Sequence, residues 1–293
     1  MIDKDLWILP ISIVHMMETL NITNTERRKR FSHVLLKFSK MNSMCSYLKI
    51  EKYEFLNAIL IILGKDEINI KDYLFAKDLY HLFDLSLDDI NVVAKEEKLR
   101  HEVEEILHDF ENSPQILYDL INSQYFKASA NKSKKTWENA AIEQKKIKKQ
   151  LFADIKNDTA RFHKIVTEGY IHRREKYFDF VVQKLRYIGI NTSDIESIGD
   201  YVQEHFEDFL KTMPMLYVAA KLTFQRFKNS SKPFHKNDIK DIAFLSPAIP
   251  YCDIVITERS WVDYIRREKL DILYGTEVFS DLNDILTVDS HQN

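Results

Sequence analysis

Asn237-Asp238-Ile239-Lys240-Asp241-Ile242-Ala243-Phe244-Leu245, followed by Ala248-Ile249-Pro250-Tyr251-Cys252-Asp253-Ile254-Val255-Ile256-Thr257-Glu258, is the stretch whose reading decides the fold. Apolar residues recur at helical spacing from Asp238 to about Leu245, which predicts a short helix. Asp238 and Asp241 are three residues apart, so on that helix they share a face. Ile249-Pro250-Tyr251-Cys252 comes next, before a strand. Ile254-Val255-Ile256 is wholly apolar, the pattern of a buried parallel strand. Its end would set Thr257 and Glu258 at the carboxyl edge of a sheet, where open α/β folds build their sites. Clustered carboxylates repel one another unless a cation intervenes, and oxygen-only ligands favour Mg²⁺ or Mn²⁺.

Working outward, Ser260 to Leu270 predicts a helix and Thr276-Glu277-Val278-Phe279-Ser280 a last strand. Upstream, Asn229-Ser230-Ser231-Lys232-Pro233 is the clearest linker. At the other end, Leu6-Trp7-Ile8-Leu9-Pro10-Ile11-Ser12 is short and β-leaning, and Pro10 sits poorly in a helix. A helix from Ile13 to Leu20 follows, then one capped by Asn24-Thr25-Glu26 and running through Val34, Leu35, Phe38 and Met41. Cys45 to Ile50 reads as a second strand. Strand, helix, helix, strand suggests a parallel α/β arrangement.

Between Tyr53 and Lys228 nearly everything reads as amphipathic helix, including Val92 to Phe110, Ile116 to Phe126 and Ile171 to Ile188. Asn131 to Lys164 carries Lys134-Lys135, Lys145-Lys146 and Lys148-Lys149 among acids, which predicts a long, largely exposed helical arm. Since neither end carries enough strands for a sheet alone, the order predicts one α/β domain, residues 1–60 with 232–293, split by an α-helical insertion over 61–231.

Composition agrees with many helices and few turns: the chain of 293 residues has only 5 Gly and 6 Pro. Its 45% apolar and 30% charged residues are those of a globular protein rather than a disordered one. A net charge of −3 gives no global attraction to nucleic acid or anionic lipid, so such binding would need a local patch. Cys45 and Cys252 stand too far apart for a zinc motif or a disulfide framework. No apolar run reaches the roughly 18 residues that span a membrane, and Met1 to Asp5 is no signal peptide. A cytoplasmic protein is expected.

Asp241, an apolar helix, an Ala-Pro turn and an apolar strand ending in Thr257 plus an acid together resemble the second half of a PIN domain. Trp7 to Ser12 leading into a helix that bears Glu18 is similar to part of the first half. The resemblance covers roughly residues 1–60 and 232–293 and implies a PIN-like α/β/α sandwich with a parallel sheet built from both chain ends. It implies a metal-dependent ribonuclease, many relatives being toxins, in which Glu18, Asp238, Asp241, Asp253 and Glu258 would hold Mg²⁺ or Mn²⁺ over an RNA substrate. Two departures stand out. The family's opening strand with its Asp would precede Trp7 by some tens of residues, so this sequence is expected to lack it. The family's closing Thr-x-Asp is here Thr257-Glu258-Arg259, so either Glu258 or Asp253 takes that role. A chain truncated or altered in this way is expected to cleave RNA weakly or not at all.

Blander readings stand beside these. Asp238 and Asp241 at a helix start also serve as caps and dipole partners. Glu18 fits a plain surface, and Asp253 fits a turn cap. Arg27-Arg28-Lys29-Arg30 suits RNA phosphates or a solvated helix face. His15, His163 and His172 have no ligand spacing, and no Gly-rich phosphate loop, nucleophile elbow or His-Glu-x-x-His motif occurs. The competing function is a non-catalytic interaction protein, with a degenerate PIN-like remnant and a helical arm that binds a protein partner.

Overall fold

The computed structural model describes residues 8–76, 80–83, 115–154, 178–187, 189, 205–229 and 234–285. The helix expected over Val92 to Phe110 lies outside them, as do His163, His172 and most of the linker after Asn229.

The described chain is mostly helical, and this overturns the expected α/β/α sandwich. In order come α1 (Ile13–Leu20), α2 (Thr25–Ser39), β1 (Ser43–Met44), α3 (Tyr47–Ile62), α4 (Lys71–Leu74), β2 (Phe75–Ala76) and a 3-10 turn (Tyr80–Phe83). Then follow α5 (Gln115–Asn122), α6 (Gln124–Asp154), α7 (Phe178–Tyr187), α8 (Phe206–Lys211), α9 (Pro214–Lys228) and α10 (Lys236–Tyr251). The last elements are β3 (Ile254–Ile256), α11 (Arg259–Arg267), α12 (Leu270–Tyr274), β4 (Glu277–Phe279) and α13 (Leu282–Ile285). Among the described residues there are two sheets of two strands each, β1 with β2 antiparallel and β3 with β4 parallel.

The correction has local causes. Among the described residues of the first apolar run, Ile11 alone pairs, through one parallel bridge to Ser43: the Ile11 N–H donates to the Asn42 carbonyl at 2.9 Å, and the Met44 N–H to the Ile11 carbonyl at 2.8 Å. The strand expected over Cys45 to Ile50 is helix from Tyr47, because Ser46 caps it by accepting the Lys49 N–H at 3.3 Å. β3 pairs with β4, and among the described residues no sheet takes strands from both chain ends. A two-stranded ribbon cannot support helical layers on both faces.

The helix expected to end at about Leu245 also runs further. α10 continues to Tyr251 with Pro247 and Pro250 inside it. Each proline removes an N–H from the ladder. The carbonyls released in this way are those of Ala243 and Ser246. Elsewhere in the stretch Ser246 Oγ donates to the Ile242 carbonyl and Thr276 Oγ1 to the Ile249 carbonyl.

The chain forms two compact units. The first comprises Met1–Lys49 and Lys71–Thr136, the second Ile50–Ile70 and Trp137–Asn293, and the division falls within α3 and within α6. In the first unit α2 lies against α5. In the second, α9 and α10 pack together as the central pair. α9 is buried on every side from Met215 to Ala220 and again from Leu222 to Phe227, so it is a core helix rather than an amphipathic surface one. Phe234, Leu245, Ile249, Val255, Trp261, Ile265 and Val278 close around it. The lysines at 134, 135, 145 and 146 are exposed on α6, as expected of the arm.

Among the described residues no helix is long and apolar enough to cross a membrane.

Candidate functional site

In the second unit, the start of α10, the start of α11 and the end of α9 surround a cleft of about 440 Å3. It contains three of the five acids expected at the site, Asp238, Asp241 and Glu258. Local rules put them there. α10 starts after His235 with Asp238 in its first turn, where an acid opposes the helix dipole. Asp241 follows one turn later on the same face. Glu258 is the N-cap of α11, its backbone carbonyl receiving the N–H groups of Trp261 at 2.9 Å and Val262 at 3.1 Å.

The carboxylates are not equivalent. Asp238 uses both oxygens: Arg226 Nε donates to Oδ1 at 2.8 Å, and the His235 N–H donates to Oδ2 at 2.6 Å. The side chains of this ion pair are 6% exposed for Arg226 and 14% for Asp238, so it is nearly withdrawn from water. Asp241 Oδ2 accepts from Trp261 Nε1 at 3.0 Å. The indole and the Tyr264 ring meet edge to face, 5.6 Å between centroids, and form the apolar wall. The carboxylate of Glu258 makes no bond within its cap and lies exposed at the rim.

Asp253 is exposed, does not line the cleft, and lies at the far end of β3, where its carbonyl receives the Glu277 N–H at 2.8 Å. Glu18 is exposed on α1, in the first unit. Among the described residues no three His, Cys, Asp or Glu side chains come close enough together to hold a metal ion. Any ion at this cleft would therefore rely largely on water for its coordination.

A buried acid outside the expected set holds a helix start. Glu54, on α3, is 1% exposed. Its Oε1 accepts from the Met215 N–H and the Tyr251 hydroxyl, each at 2.6 Å, and its Oε2 accepts from the Leu216 N–H at 3.3 Å. α9 opens at Met213 with no side-chain cap of its own and has Pro at its first position. Glu54 supplies the missing cap from a distant helix. Burial pushes its pKa up to about 7, against the opposing effect of the three donors, while nearby Glu51 adds to the rise. The signal in the sequence was slight: a Met-Pro helix start with no bonded Ser, Thr, Asp or Asn before it.

Comparison with protein families, with curated proteins and with solved structures finds no match to the chain.

Proposed function

We propose that the chain is a helical interaction protein and that its acidic cleft is a structural joint rather than a metal-dependent catalytic centre. The observation that supports this reading is the engagement of Asp238. A metal ion placed on Asp238 would compete with Arg226 for the carboxylate and leave a nearly buried guanidinium facing a second cation. Removing one partner from such a pair costs about 3–5 kcal/mol, a penalty that an ion with few protein ligands does not readily offset.

A second reading is Mg²⁺- or Mn²⁺-dependent hydrolysis of RNA. It draws on the position of Asp238, Asp241 and Glu258 around one cleft. Hard cations of this kind bind through one or two carboxylates with several waters retained. Asp241 and Glu258 would have to hold the ion, because Asp238 is committed to Arg226. The ion would activate water and steady the leaving oxygen.

Calorimetric titration of Mn²⁺ into the intact chain and into Asp241→Asn, with an RNA cleavage assay on both, separates the two. The interaction reading expects the same weak Mn²⁺ response from both proteins and no cleavage. Mn²⁺ binding together with cleavage, both lost in Asp241→Asn, would overturn it in favour of the hydrolase.

A further inference from the structure

Among the described residues, the helix α2 carries an exposed strip on the face turned away from its buried residues. Its sequence, Thr25-Glu26-Arg27-Arg28-Lys29-Arg30-Phe31-Ser32-His33-Val34-Leu35-Leu36-Lys37-Phe38-Ser39, has five basic residues against one acid, Glu26, in a chain whose net charge is −3. One face is anchored within the first unit. Ser32, Leu36 and Ser39 are buried, Arg28 Nη1 donates to Asn122 Oδ1 of α5, and Arg28 Nε donates to the Ile22 carbonyl at 2.8 Å.

The opposite face holds Arg27, Phe31, Val34 and Phe38, spaced by four, three and four residues and so aligned along the helix. Phe31, Val34 and Phe38 are 42%, 44% and 40% exposed, far above what their apolar character favours. Arg30 and Lys37, both exposed, flank the strip on one side, and Lys37 Nζ stands 6.0 Å from the Phe38 ring centroid. Single exposed apolar residues are ordinary. Three in register on one helix, with no acid among them, are a prepared surface.

We infer that this face of α2 docks an acidic amphipathic helix of a partner protein, an inference that rests on the interaction reading above. The layout selects the partner's chemistry. An apolar centre flanked by charge matches the core and rim of a protein interface. Apolar residues at this spacing are met by a helix presenting its own at positions i, i+3, i+4 and i+7. Arg30 and Lys37 on one flank call for glutamates or aspartates on the facing edge, as charged flanks set partner choice in paired helices. A face built for nucleic-acid phosphates would instead put its cations at the centre. Here the centre is Phe31, Val34 and Phe38.

The test uses the intact chain and four fluorescent or scattering probes: a synthetic amphipathic helix with leucines at the apolar positions and glutamates beside them, the same peptide with lysines for glutamates, poly(U) RNA, and phosphatidylserine vesicles. Two variants accompany it, Arg27→Glu/Arg30→Glu/Lys37→Glu and Phe31→Ala/Phe38→Ala. Every substituted side chain is exposed, so circular dichroism and melting temperature should be retained and serve as the folding control. The acidic peptide is expected to bind the chain, and each variant to weaken binding at least about tenfold. The charge-reversed variant is expected to take up the lysine peptide instead.

Absence of acidic-peptide binding overturns the proposal. So does acidic-peptide binding unchanged in Phe31→Ala/Phe38→Ala, or binding of RNA or vesicles, and not of the peptide, that the same variants abolish. Failure of the interaction reading itself is seen separately, in Asp241-dependent cleavage, which this experiment does not measure.

Discussion

Asp238 shows how one side chain can present the same sequence signal for two incompatible roles. Placed three residues before Asp241 on a helix, it reads as half of a metal site. In the fold it closes the first turn of α10 and neutralises Arg226 of α9, joining the two central helices of the second unit. Asp238→Ala should therefore destabilise the second unit by about 3–5 kcal/mol, because it removes the carboxylate paired with a guanidinium whose side chain is 6% exposed. Glu258→Gln, at an exposed carboxylate with no cap bond, should change stability by less than about 0.5 kcal/mol. Urea denaturation of both variants measures the contrast. A cost below about 1 kcal/mol for Asp238→Ala would mean that the pair holds nothing together.

At the scale of elements, the second unit depends on one buried helix and one short parallel ribbon. Leu222 is 0% exposed in the middle of α9, and Leu222→Ala should cost about 2–5 kcal/mol through lost burial and the cavity left behind. Gly275 ends α12 in the left-handed region, with φ of +71°, just before Thr276 and β4. A Cβ there would meet nothing within 4 Å, so Gly275→Ala isolates the backbone cost, about 1–2 kcal/mol, from any clash. Denaturant midpoints at unchanged slope would read both values. A neutral Gly275→Ala would show that the helix end is not held in that conformation.

At the scale of the whole molecule, the two units are set to respond to pH in opposite directions. In the first, burial lowers the pKa of His15 from 6.5 to about 4. Its Nδ1 accepts the Ser12 N–H at 3.1 Å within the cap of α1, a role that needs the neutral ring. A depressed histidine withholds a proton that the unfolded chain would take, so this stability is present above pH 6.5 and is lost as pH falls toward 4. In the second unit, Glu54 is raised from 4.5 to about 7. Its share is fully present below pH 4.5 and is lost as pH rises through 7.

Each unit contains one free cysteine, Cys45 in the first and Cys252 in the second, which makes the opposition measurable. The urea midpoint for labelling Cys252 should fall between pH 5 and 8, and Glu54→Gln should flatten that trend without altering Cys45. The midpoint for Cys45 should fall between pH 6.5 and 4.5, and His15→Asn should flatten that one. Parallel trends at the two thiols, unchanged by either variant, would refute the assignment.

The sequence by itself determined what nearest neighbours along the chain determine. Asn24 caps α2 where the cap signal stands, α6 carries Lys134, Lys135, Lys145 and Lys146 outward, and the two apolar runs near the end form β3 and β4 within a residue of their expected bounds. These follow from side-chain periodicity and from donors and acceptors a few residues apart. It also brought five acids forward as a group, of which Asp238, Asp241 and Glu258 line one cleft while Glu18 and Asp253 lie elsewhere. Tertiary structure alone decided what each run pairs with and what each acid touches. An apolar strand advertises backbone donors and acceptors without specifying their partner, so Ile11 reached Ser43 and Val255 reached Val278. Likewise a carboxylate takes its role from the groups that burial brings to it: Arg226 and the His235 N–H made Asp238 a joint, and the uncapped start of α9 made Glu54 a cap.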